Sequence, residues 1–208
     1  MRKVQFITLE GIEGVGKSTN MAFVQNILTL AGIDVVVSRE PGGTPVGEKI
    51  RQVLLDRQAT MAPDTELLLM FAARAEHIQQ VIRPALAAGR WVLCDRFTDA
   101  TYAYQGGGRQ VSQARIAGLE EWVQGELRPT LTLLLDAPIE DALARAKNRA
   151  PGDRFETETQ EFFTRTRNVY LDRARTFPER YRLINAAQPL AAVQAQIQAV
   201  LLTLFNET

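Results

Sequence analysis

Gly11-Ile12-Glu13-Gly14-Val15-Gly16-Lys17-Ser18 stands between the apolar run Val4 to Leu9 and a stretch from Thr19 whose apolar residues recur at helical spacing. This is the pattern G-x-x-x-x-G-K-[ST], placed between a strand and a helix. The glycines let the loop wrap with its backbone N–H groups pointing inward. Lys17 can then reach the β- and γ-phosphates of a nucleotide, and the Ser18 hydroxyl can hold a Mg²⁺ ion. A Gly-rich surface turn needs neither the strand before it nor the helix after it. The pattern points to nucleoside triphosphate chemistry.

Outward from the loop, Val4 to Leu9, Ile33 to Ser38, Trp91 to Cys94 and Leu131 to Leu135 are short apolar runs without polar alternation, as buried parallel strands are. Tyr181 to Ile184 is a weaker fifth. Helix-spaced apolar positions fill 19–31, 46–56, 64–89, 112–126, 139–147, 159–176 and 189–205. The alternation predicts one domain over residues 1–208, a three-layer α/β fold with a five-stranded parallel sheet flanked by helices. Ligands would gather beyond the carboxyl ends of the strands. Lys plus Arg and Asp plus Glu are 24 each, so no basic field draws the chain onto nucleic acid. Cys94, the single cysteine, lies in an apolar run and is expected to be a buried thiol in a reducing cytoplasm. Neither a signal peptide nor a membrane anchor is expected from the pattern around Met1-Arg2-Lys3.

Further motifs cluster at the predicted strand ends. Arg39-Glu40-Pro41-Gly42-Gly43-Thr44 adds a charged pair to turn chemistry. Asp95 and Arg96 close the third strand: the acid suits a Mg²⁺ ion held through water, the guanidinium an acceptor phosphate. Asp136 is a rival metal acid that could equally cap the next helix. Thr98 to Arg109, with Tyr102, Tyr104, Gln105 and three consecutive glycines, reads as a loop able to contact a base. Arg145, Lys147, Arg149 and Arg154 around Pro151-Gly152 suggest a short basic lid over about 145–157. His77, beside Glu76, reads as surface or satisfied.

In order and spacing, Leu9 to Ser18, Arg39 to Thr44, Met70 to Arg74, Asp95-Arg96-Phe97, Tyr104 to Arg109 and Asp153-Arg154-Phe155-Glu156 resemble bacterial thymidylate kinases over essentially the whole chain. The resemblance implies a P-loop NTPase fold and transfer of the γ-phosphate of ATP to dTMP with Mg²⁺, in a cytoplasmic homodimer. It makes Gly11, Ile12, Glu13, Gly14, Val15, Gly16, Lys17, Ser18 and Thr19 the ATP loop, with Glu13 turned toward the acceptor's 3′-hydroxyl. Arg39, Arg51 and Arg96 would surround the acceptor phosphate. Glu40 and Asp95 would orient those guanidiniums or metal-bound water. Arg74 would donate to thymine O4, Thr101 and Gln105 would meet the base's other polar edge, and Tyr104 would lie under the sugar. The family's stacking Phe precedes the thymine-reading Arg by four positions; here that position is Met70, and Phe71 is the expected stacking ring. With no arginine inside the phosphate loop, the catalytic arginine is expected in the lid, Arg154 first and Arg149 second. The alternatives are another pyrimidine monophosphate kinase, or a nucleotide switch, whose N-K-x-D and D-x-x-G sequences are absent.

Overall fold

The computed structural model describes residues 3–147 and 154–206. The central strand β1 (Phe6–Glu10) is buried along its whole length. On one side it pairs with β3 (Trp91–Asp95), which pairs with β2 (Val35–Arg39). On the other it pairs with β4 (Leu131–Asp136), which pairs with β5 (Tyr181–Asn185). All four pairings are parallel, which explains the apolar runs: both faces of the inner strands are covered by helices. Phe6 joins Val92, Cys94, Phe97, Ile78 and Ile82 on one face, while Ile7 and Leu9 pack with Val24, Leu28, Val193 and Ile197 on the other. The crossover from the β3 side to the β4 side occurs around β1, so the loop after β1 opens at the topological switch point.

Helix α1 (Lys17–Leu30) starts directly after Gly16, whose φ of 91° no other residue type adopts at so low a cost. No side chain caps it, which leaves its first N–H groups for an anion. Gly14 is required by close approach as well as by its φ of 77°: a Cβ there would collide with the Ala142 carbonyl of α7 (Ile139–Lys147). Helix α2 (Pro45–Leu55) has proline in its first turn and Thr44 as cap, its hydroxyl accepting from the Gly47 N–H at 2.9 Å.

The predicted helix 64–89 is α3 (Pro63–His77), a π-helical segment Ile78–Ile82 and α4 (Arg83–Ala87). Pro84 is the physical reason. It has no N–H for the Gln80 carbonyl, and its ring crowds that carbonyl, so the preceding turn widens. Thr98 to Arg109, expected to be a loop, is helical along most of its length. It is α5 (Thr98–Thr101) followed by a π-helical segment Tyr102–Gly108 packed against α8 (Gln160–Thr176). The glycines serve that packing: a Cβ on Gly107 would stand 2.8 Å from the Arg165 carbonyl oxygen of α8. Helices α6 (Gln113–Gln124) and α9 (Leu190–Asn206) complete the layers, and a 3₁₀ turn Arg154–Thr157 precedes α8. Among the described residues no helix is long and apolar enough to cross a membrane.

Candidate functional site

Strand register brings the chemistry together. Leu9 and Arg39 both stand level with Asp95, so the phosphate loop, the turn after β2 and the exit of β3 open at one height. Beyond them lies a cavity whose wall includes Glu13, Lys17, Glu40, Arg51, Met70, Arg74, Asp95, Arg96, Thr101, Tyr104, Gln105 and Phe155.

Lys17 folds back over the loop and donates to the Gly11 and Ile12 carbonyls at 3.0 and 2.9 Å. Burial, reinforced by the Arg96 charge, pulls its pKa down to about 8. Glu13 accepts from Arg96 Nη2 at 2.7 Å and from the Tyr104 hydroxyl at 2.6 Å. Burial alone would raise its pKa, but the Arg96 and Lys17 charges outweigh that and hold it below the usual carboxylate value. Arg96 adopts a φ of 68°, rare for a residue with a side chain, and its guanidinium lies 4.5 Å from the Tyr104 ring centroid. Two bonds donated by backbone N–H groups hold this conformation: Arg96 N–H to the Leu9 carbonyl at 3.0 Å, and Phe97 N–H to the Glu10 side-chain Oε1 at 2.7 Å. Burial, reinforced by the Asp99 charge, pushes Glu10 up to about 8.

The far end of the cavity is built on α3 and α5. Arg74 donates from Nε to Glu40 at 2.8 Å and from Nη2 to the Thr101 hydroxyl at 2.9 Å, while Nη1 has no hydrogen-bond partner among the described residues. Glu40 also meets His77 Nδ1 at 2.9 Å, and His77 Nε2 meets the Ser38 hydroxyl at 2.6 Å. His77 is therefore fully buried behind the site, bracing the carboxylate that holds Arg74. Its reading as a surface residue is corrected; its reading as satisfied agrees with the geometry. Nothing local in the sequence signals this role, because Glu40 is 37 residues away.

Several expected residues stand elsewhere. Phe71 does not face the cavity but packs with Leu67, Tyr102, Val111 and Ile116. Four residues back from Arg74 along the helix, Met70 shares the guanidinium's face toward the cavity; Phe71, three back, touches it from the core side at 4.7 Å. Arg39 pairs with Glu48 at 2.8 Å and borders a neighbouring groove with Ser18 and Asp95. Glu40 orients Arg74 rather than Arg39, Arg51 or Arg96. Arg51 remains on the wall, donating to the Pro41 carbonyl at 2.9 Å. Arg154 lies off the wall, donating to Glu66 at 2.6 Å and to the Leu54 carbonyl at 3.1 Å, while its neighbour Phe155 closes the cavity against Tyr104. Arg149, with lid residues 148–153, lies outside the described residues. Glu66, unremarked in the sequence, proves to be a buried acceptor for Gln105, Arg109 and Arg154.

For a divalent ion, Asp95 and Ser18 border the same groove, and Asp95 Oδ1 is buried with no hydrogen-bond partner among the described residues. Asp136, the rival, is engaged by Arg167 through two bonds of 2.6 and 2.8 Å. Among the described residues no group of three His, Cys, Asp or Glu could hold a metal. One acid with a hydroxyl instead suits a hard ion that keeps water and phosphate oxygens as ligands.

A family model described as thymidylate kinase matches residues 9–197. A thymidylate kinase of Pseudomonas putida (strain W619) is 63% identical over 197 residues, covering 94% of this chain and 95% of that one. Another, from Ectopseudomonas mendocina (strain ymp), is 62% identical over 202 residues, covering 97% and 96%. Among solved structures, a thymidylate kinase from Ehrlichia chaffeensis aligns with a TM-score of 0.77 at 31% identity, covering 95% of this chain and 98% of that one.

A polyphosphate bound in the loop would favour the charged form of Lys17 and raise its pKa. At pH 8 binding is therefore expected to take up about half a proton, since a group at its pKa is half protonated. Calorimetry in buffers of different ionisation enthalpy measures this uptake, and a buffer-independent heat would contradict it. Lys17→Met should abolish the dependence.

Proposed function

The chain belongs to the thymidylate kinase family, and from that membership and the geometry of the cavity we propose that it transfers the γ-phosphate of ATP to dTMP, giving ADP and dTDP for dTTP synthesis. The observation that carries this reading is the pairing of Glu13 with Arg96 and Tyr104, which joins the phosphate loop to the acceptor cavity. A donor phosphate seated on the α1 N-terminus thereby faces an acceptor held within the same set of side chains.

In this reading residues 11–19 bind ATP, and Lys17 leaves the Gly11 and Ile12 carbonyls to meet its phosphates. Arg96 and Arg51 hold the acceptor phosphate, and their charge offsets the repulsion between two anionic substrates. Glu13 keeps Arg96 aimed and is placed to meet the sugar's 3′-hydroxyl. Tyr104, braced by Phe155 and Phe162, forms a rigid floor under the sugar that a 2′-hydroxyl would crowd. Arg74 Nη1, which no described residue engages, suits thymine O4, Thr101 and Gln105 the remaining polar edge, and Met70 the face of the ring. Ser18 and Asp95 would hold Mg²⁺, which supplies charge neutralisation on the transferred group. Arg154 is the catalytic arginine in this assignment, reached by a change of partner from Glu66 within a lid of about 145–157 on one domain.

The exposed Trp122 of α6 and Leu68 of α3, 82% and 56% accessible, support assembly as a homodimer across these helices. The protein is read as cytoplasmic, in keeping with its buried Cys94 thiol. Light scattering after size exclusion is expected to give twice the chain mass, and a monomer at micromolar concentration would rule the dimer out.

ADP release is expected to depend on a monophosphate acceptor and to run well above the CMP and dUMP rates with dTMP; equal turnover with CMP would overturn the thymidylate assignment. Arg154→Ala is expected to lower kcat by ~10³ or more, as for other arginines that stabilise phosphoryl transfer. A near-normal rate would move the role to Arg149.

A further inference from the structure

We propose that Glu66 is a specificity-positioning residue, fixing the direction of the Gln105 amide so that its carbonyl oxygen faces the base and only a base with a ring N–H is accepted. Glu66 lies in the first turn of α3 and is 1% exposed. Its Oε1 accepts from Gln105 Nε2 at 2.7 Å; its Oε2 accepts from Arg154 Nη2 at 2.6 Å, and Arg109 Nε reaches both oxygens at 3.3 and 3.2 Å. Both of its oxygens face donors, two guanidiniums and an amide, and both act as acceptors.

An amide beside such an oxygen has one satisfactory orientation. Its NH₂ must face Glu66, so its carbonyl oxygen is the end left for the cavity that Gln105 lines. One helical turn earlier, the Thr101 hydroxyl holds Arg74 Nη2, and Nη1 of the same guanidinium has no hydrogen-bond partner among the described residues. The base end of the cavity therefore presents a donor from Arg74 and an acceptor from Gln105. Thymine and uracil offer the complement, a carbonyl O4 beside the N3–H. Cytosine offers the reverse at both positions, an amino group and an N3 lone pair. Arginine cannot reverse its polarity, whereas a glutamine can do so by turning over, and Glu66 is what prevents the turn.

This inference rests on the thymidylate reading and assigns the rejection of cytosine in part to a residue that touches no substrate. In Glu66→Gln the new side chain can donate as well as accept, so Gln105 can flip. The test is the ratio of kcat/KM for dTMP to that for dCMP, measured in the full-length wild type, Glu66→Gln and Arg154→Met. Glu66→Gln is expected to lower the ratio by about tenfold or more, since a site built on paired polar groups discriminates through the group left unpaired. Arg154→Met should lower kcat for both acceptors and leave the ratio unchanged.

A Glu66→Gln ratio within about twofold of wild type overturns the proposal, that factor being well under 1 kcal/mol. A fall of equal size in Arg154→Met also overturns it, since the effect would then run through Arg154. If Glu66→Gln fails to fold, the double variant with Arg154→Met, which removes one of the positive charges facing that side chain, is compared with Arg154→Met alone, and the same fall is expected. A double variant that also fails to fold overturns the positioning role in favour of a structural one. A wild type without preference for dTMP over dCMP sinks the thymidylate reading itself, whereas a wild type with that preference and an unchanged Glu66→Gln sinks only the role of Glu66.

Discussion

The ion pair between Glu13 and Arg96, 83 residues apart in the chain and 2.7 Å apart in space, is the contact on which the rest of the site depends. It fixes the phosphate loop against the exit of β3, and it requires Arg96 to stand in the left-handed region at φ 68°. That conformation costs about 1–3 kcal/mol and persists only where its surroundings over-determine it. Here they do. The end of β1 supplies both restraints, the Leu9 carbonyl to Arg96 and the Glu10 carboxylate to Phe97. Losing one partner would strand a largely buried charge, a loss of about 3–5 kcal/mol in such pairs.

The same device recurs around the cavity. Arg74 is backed by Glu40, Glu40 by His77, and His77 by Ser38; Arg154 is backed by Glu66. Arg96 and Arg74 are thereby aimed at the cavity without a ligand, which leaves them little to reorganise, whereas Glu66 holds Arg154 off the cavity wall. The carboxylates do not line up by type or by sequence motif. They are supplied by whichever element packs behind the cation: the phosphate loop for Arg96, the turn after β2 for Arg74 and the first turn of α3 for Arg154.

The sheet was legible in the sequence because buried parallel strands need apolar residues on both faces, and the phosphate loop because backbone wrapping around an anion demands glycine at set positions. Element edges moved by a residue or two: β1 opens at Phe6 rather than Val4, and α1 at Lys17 rather than Thr19. Two helical stretches were harder to read. Pro84 widened one into a π turn, and the glycine run at 106–108, which locally favours a loop, became helical because α8 leaves no room for side chains there. Met70 and Phe71 were indistinguishable by spacing, since residues three and four before Arg74 both neighbour it. Packing of α3 against α6 claimed Phe71 for the core.

The residues alone determined the layered α/β fold, the glycine-rich loop between β1 and α1, the family, and the set of charged groups at the carboxyl ends of the strands. These follow from short-range rules: side-chain period, backbone freedom and spacing within one turn. Which carboxylate faces which guanidinium was decided only by the tertiary structure. Arg39 went to Glu48 and the neighbouring groove, Glu40 to Arg74, Glu66 to Arg154, and His77 to a buried place behind them. Such pairings depend on strand register and on how helices pack across tens of residues, and a charge carries no mark along the chain of the partner it will meet.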